Sequence, residues 1–96
     1  MTTLQSLRAR KPQIQQVAGQ YGVHNIRVFG SVARGEDTAN SDIDLLVDME
    51  ETRSLLDLVG FQQSVQAILK QPTDILTENS ISPYLRESIL REAISL

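Results

Sequence analysis

The sequence predicts a small α/β (α+β) domain, with helices packed on a short mixed sheet of three strands or slightly more. Two observations predict it. Apolar residues recur at spacings of three and four in the N-terminal, central and C-terminal segments, as an amphipathic helix requires. Between them lie three short apolar or alternating runs of strand length, "NIRVFG", "DIDLLVDM" and "PTDILT". The resulting order is helix, strand, strand, helix, strand, helix, and helices that alternate with strands cover a sheet. The 96 residues suffice for one domain, 1–96, with one modest core.

Residues 4–21 read as helical in two pieces. Pro12 fits the first turn of the second piece, where a missing N–H costs nothing. Ile14, Val17, Ala18 and Tyr21 then share a face, and Gly22 is a stop signal. In "NIRVFG", Ile26, Val28 and Gly30 alternate with Arg27 and Phe29. "SVARGEDTANS" is a polar connection, and "DIDLLVDM" is the second strand. The next helix runs from Ser54 to Lys70. Ser54 with Asp57 three residues on resembles a capping box. Leu55, Leu58, Val59, Val65, Ile68 and Leu69 are its expected buried stripe, interrupted by Gly60. "PTDILT" is the third strand. Ser82-Pro83 opens a last helix with Leu85, Ile89, Ala93 and Leu96 along one face.

Composition narrows the function classes. Charged residues make up 22% and hydrophobic residues 41%, the ordinary balance of a globular protein. The net charge of −3 and an aromatic content of 4% argue against direct nucleic-acid binding, which draws on a basic face and stacking platforms. Cysteine is absent, so neither a disulfide framework nor a thiolate zinc site is available, and a reducing cytoplasm is the expected location. "MTTLQSLRARKPQIQQ" lacks the apolar core of a signal peptide, and no apolar run is long enough to span a bilayer.

The chemistry concentrates in "FGSVARGEDTANSDIDLLVDM". Gly30-Ser31 is followed, after residues 32–41, by Asp42-x-Asp44. Residues two apart on a strand face the same way, so the two aspartates project together, about 7 Å apart at their α-carbons. Ile43, Leu45 and Val47 face the core. Adjacent carboxylates repel and raise each other's pKa; a divalent cation removes that conflict, and hard cations prefer oxygen ligands. Asp74 lies on the third strand. If that strand neighbours the second, three carboxylates converge and, with triphosphate oxygens, can organise two Mg²⁺ ions roughly 3.5–4 Å apart. Taken alone, Asp-x-Asp is also what a solvated strand start looks like, and the upstream Gly-Ser raises its weight. Asp48, Glu50 and Glu51 read as an exposed acidic turn.

Gly30 permits a sharp turn and the close approach of a phosphate to the backbone. Ser31 offers a hydroxyl and an N–H. Arg34 can reach a triphosphate as a charge-assisted donor, or pair with Glu36 or Asp37 on the surface. The loop is not a Walker motif, because "GSVARG" lacks the Gly-Lys-Ser/Thr ending. Arg27 is a lesser candidate. His24 reads as a loop or strand-end residue. Tyr21 and Tyr84 are ambiguous: core packing is the favoured reading, and Tyr84, in the first turn of the last helix, could instead contact a partner or a base.

These residues resemble the DNA polymerase beta-type nucleotidyltransferase superfamily, marked by Gly-Ser, a spacer, Asp-x-Asp and a third Asp on a later strand. "IRVFGSVARGEDTANSDIDLLVDM" and "PTDILTENSISPYLRESILREA" look more closely like the minimal nucleotidyltransferases of the MntA type. The resemblance spans nearly the whole chain. It implies the small nucleotidyltransferase fold, with Asp42, Asp44 and Asp74 as catalytic metal ligands and Gly30 and Ser31 on the terminal phosphates of ATP. It also implies a partner, a HEPN-domain RNase toxin encoded nearby and neutralised by AMP transfer to a tyrosine, in a possible hetero-oligomer. Three rivals stand beside this reading: a non-catalytic module that blocks its partner by binding, a small-molecule nucleotidyltransferase, and, least favoured for want of a basic face, a template polymerase.

Overall fold

The computed structural model describes residues 3–96. Its elements are α1 (Thr3–Ala9), α2 (Lys11–Tyr21), β1 (Val23–Phe29), α3 (Gly30–Arg34), β2 (Ile43–Met49), α4 (Leu55–Leu69), β3 (Thr73–Thr77), a 3₁₀ turn (Glu78–Ser80), α5 (Pro83–Glu92) and β4 (Ile94–Ser95). The N-terminal helix does divide in two. It breaks at Arg10, and Pro12 sits in the first turn of α2. Gly22 ends α2 in the left-handed conformation (φ 70°) with its N–H on the Ala18 carbonyl.

The strands form one sheet in the order β3-β2-β1-β4. β1 pairs antiparallel with β2 and with β4. β2 and β3 are parallel, joined by the α4 crossover. One sheet face holds Ile43, Leu45, Val47 and Val28 against Ile14 and Ala18 of α2 and Phe61 and Val65 of α4. On the opposite face Phe29 and Leu46 form a smaller cluster with Ile81, on which Ile89 and Leu90 of α5 and Ala93 rest. That second cover leaves open the end of the sheet where β2 and β3 begin, with Asp42 and Asp74 exposed and Asp44 half-buried.

The polar connection after β1 starts as a helical turn, α3. A fourth strand joins the sheet, within the three strands or slightly more expected: the chain is already extended at Ala93 (ψ 135°), so α5 stops at Glu92. Leu96 is therefore no part of a helical face. It follows β4, its N–H bonds the Ile26 carbonyl, and its side chain packs in the main core. In α4 the inward line is Phe61 and Val65, both buried, with Leu58 and Leu69 partly buried beside them. Val59, one residue past Leu58, points about 100° away, and Leu55 lies on the exposed first turn, at 73% exposure. Phe61 outranks both in volume, so it decides which face turns inward. Finally, Tyr84 is 95% exposed and is not a core residue. Tyr21 does pack on the core, and Gly60 makes room for it: a Cβ there would stand 2.5 Å from the Tyr21 ring.

Candidate active site

The open end of the sheet is where β1 finishes and β2 and β3 begin. Phe29 is the register partner of Asp44, so the turn after β1 lies beside that carboxylate. Gly30 makes this turn with φ +74°. A Cβ at Gly30 would stand 2.3 Å from Asp44 Oδ2, so the carboxylate would have to move away. Glycine is thus required twice, by a left-handed backbone and by the carboxylate pressed against its α-carbon.

Asp44 and Asp74 are register partners on the parallel strands β2 and β3. Side chains paired in this way leave the same face, one strand spacing apart, about 4.8 Å. The pairing expected from sequence is present. Asp42 departs slightly from expectation: β2 begins at Ile43, so Asp42 is the exposed residue just ahead of it. The segment is nonetheless held to the β3 side. The Ile43 N–H donates to the Pro72 carbonyl at 2.9 Å, and Gln71 Nε2 donates to the Ser41 carbonyl at 3.0 Å.

Half-burial pushes the Asp44 carboxyl above the ordinary carboxylate range. Next in effect come the charges of Asp74, Asp42 and Glu92, with Arg34 acting in the opposite direction. Asp44 thus feels both partner aspartates. Among the described residues no three His, Cys, Asp or Glu side chains close into a metal cage by themselves. The donor set still fits a hard divalent cation. It consists of carboxylate oxygens, and the charge at Asp44 is net unfavourable until a cation relieves it.

Ser31 follows Gly30 in the single turn of α3, and its hydroxyl has no hydrogen-bond partner among the described residues. Arg34 ends that turn. Its Nε donates to Glu36 at 2.9 Å, as the surface reading anticipated, and its Nη1 is ion-paired with Glu92. The alternative partner, Asp37, instead accepts from the Thr3 hydroxyl. Arg27 stands apart from the site, bridging Asp48 at 2.8 Å and Glu78 at 3.0 Å. His24 is exposed at the start of β1, 3.5 Å from Glu50. Glu92 is the site residue that sequence reasoning missed. Its Oε2 accepts the Gly30 N–H at 3.0 Å. In the sequence it is one more acid on a surface helix, and only the return of α5 to the sheet end brings it here.

A model of the nucleotidyltransferase domain family matches residues 11–96. The chain belongs to this family. Among relatives of the nucleotidyltransferase, a Methanocaldococcus jannaschii protein provisionally named a protein adenylyltransferase is 42% identical over 86 residues, covering 90% of this chain and 92% of its own. Protein adenylyltransferase MntA of Thermococcus cleftensis is 35% identical over 88 residues, covering 92% and 86%. A solved structure provisionally named a minimal nucleotidyltransferase superposes with a TM-score of 0.87 at 44% identity, over 100% of this chain and 97% of its own. A toxin-antitoxin structure with AMP-PNP shares the fold at a TM-score of 0.72 and 22% identity, over 88% of this chain and 69% of its own.

Proposed function

We propose that this nucleotidyltransferase transfers AMP from ATP to a protein hydroxyl, a tyrosine of a cognate HEPN-domain RNase toxin, and thereby acts as its antitoxin. The observation that carries the reading is the Asp44–Asp74 register pair set against the Gly30-Ser31 turn. Acids that can hold cations lie beside donors suited to phosphate. The relatives named protein adenylyltransferase support the choice of a protein acceptor.

Asp42, Asp44 and Asp74 would hold Mg²⁺, two ions in the fullest form. Bound there, Mg²⁺ supplies positive charge to the triphosphate and to the departing pyrophosphate. The chain's own residues orient the reactants. Gly30 and Ser31 offer an N–H and a hydroxyl to the terminal phosphates, and Arg34 adds a charge-assisted donor. The acceptor oxygen forms a bond to the α-phosphorus. The bond from that phosphorus to the β-bridging oxygen breaks, and pyrophosphate leaves with the electron pair. Asp74, exposed at the start of β3, takes the acceptor's proton. Most of the acceleration is positional and electrostatic.

The position of the label tests the reaction. With the HEPN-domain partner and Mg²⁺, α-labelled ATP is expected to label the partner and γ-labelled ATP to release labelled pyrophosphate. Transfer of the γ-label, or no labelling, would overturn the reading.

One observation favours docking as a second contribution to neutralisation. Leu55 and Leu56 on α4, at 73% and 81% exposure, and Tyr84 and Leu85 on α5, at 95% and 56%, are apolar or aromatic and uncovered. Neutralisation that persists after Asp42 and Asp44 are both replaced by Ala would assign the effect to binding.

A further inference from the structure

Glu92 occupies donors that the nucleotide reading assigns to phosphate. Its two oxygens divide between the Gly30 backbone N–H, at 3.0 Å, and the Arg34 guanidinium. A carboxylate bridging an N–H and a guanidinium reproduces the contacts that two oxygens of a terminal phosphate would make. Glu92 is only 23% exposed, so this is a seated contact and not a side chain trailing in water.

The element that carries Glu92 is lightly held. No residue of α5 is fully buried, and its apolar positions Ile89 and Leu90 are half-buried. Beyond Glu92 the chain is held by the two-residue strand β4 and by Leu96, whose side chain lies in the main core. The helix itself, with little buried apolar area, opens at low free energy. Displacing Glu92 therefore requires moving its side chain or the weakly packed helix, whereas Gly30 is fixed between β1 and Asp44.

We propose that Glu92 is an internal competitor for the terminal phosphates of the nucleotide, and that ATP enters by displacing it from Gly30 and Arg34. The proposal rests on the nucleotidyltransferase reading of the site. Glu92 is then a specificity-determining residue. A nucleoside triphosphate replaces both of its contacts, while AMP, lacking β- and γ-phosphates, replaces neither. The chain's apparent affinity for ATP is lowered by the fraction of molecules in which Glu92 holds its seat.

The test is equilibrium binding of a non-hydrolysable ATP analogue and of AMP, with Mg²⁺ and no acceptor. Wild type is compared with Glu92→Gln, Glu92→Ala and a control, Glu87→Gln. Glu87 lies on the same helix and carries the same charge, but it is exposed and ion-paired to Arg91. Glu92→Ala is expected to bind the ATP analogue about tenfold more tightly and AMP with unchanged affinity. Glu87→Gln is expected to behave as wild type. If Glu92→Ala folds poorly, the isosteric Glu92→Gln carries the test. Variants of Glu92 that bind the analogue no more tightly than wild type, or that tighten AMP as much as ATP, would overturn the proposal while leaving the site reading in place. Failure of wild type and of both Glu92 variants to bind the analogue would overturn the two together.

Discussion

At the residue scale the site turns on one contact, the Asp44 carboxylate against the α-carbon of Gly30. Gly30→Ala must place a Cβ on Asp44 Oδ2 at a backbone angle that disfavours any side chain. The expected cost is about 2 kcal/mol, read as a fall of roughly 10 °C in Tm, together with loss of AMP transfer because Asp44 must move. Asp44 also carries a pH signature. Its carboxyl is raised in the folded chain, so over the window just above the ordinary carboxylate pKa the folded state holds a proton that the unfolded state has lost. Stability from this group is therefore full below that window and declines as pH rises through it. Asp44→Asn removes the penalty. Without metal at neutral pH it is expected to raise Tm by about 2–4 °C, discounting for the group's partial exposure, with the gain vanishing at acid pH. Added Mg²⁺ should reverse the order, stabilising wild type alone. Thermal melts at two pH values, with and without Mg²⁺, check both signs. The facing of Asp44 was legible in the sequence because strand alternation is local, and the Gly30-Ser31 turn because a glycine closes the preceding strand; Asp42 falls just ahead of β2, where alternation does not reach. Glu92 was not legible, since its place depends on where a distant helix ends.

At the element scale, the helix boundaries were readable where a specific residue sets them. Gly22 closes α2, Pro83 opens α5, and the Ser54 N–H donates to the Asp57 carboxylate at 3.0 Å at the head of α4. The inward face of α4 was not fully readable, because spacing alone admits several apolar lines and the bulk of Phe61 selects one. Phe61→Ala is expected to cost about 3–5 kcal/mol, whereas Leu55→Ser, on the exposed first turn, should shift stability by less than about 0.5 kcal/mol. Chemical denaturation of the two variants decides between this face and the stripe through Leu55 and Val59. β4 escaped notice for a different reason. A two-residue strand has no periodicity, and it exists because β1 offers it a free edge.

At the scale of the whole molecule, the parallel β2–β3 pair brings Asp74 level with Asp44, and the antiparallel β1 delivers Gly30 to the same end of the sheet. The order of elements in the sequence made such a sheet predictable. It did not fix which strands were neighbours, so the meeting of the carboxylates was conditional until the register was known. The measurement closest to the central claim is the mass of the proposed HEPN-domain partner after incubation with ATP, Mg²⁺ and the nucleotidyltransferase, set against the same reaction with Asp44→Ala or Asp74→Ala. AMP addition by wild type, reduced at least about 100-fold in either variant, is the expected result. Equal addition by Asp44→Ala, or none by wild type, would contradict the account.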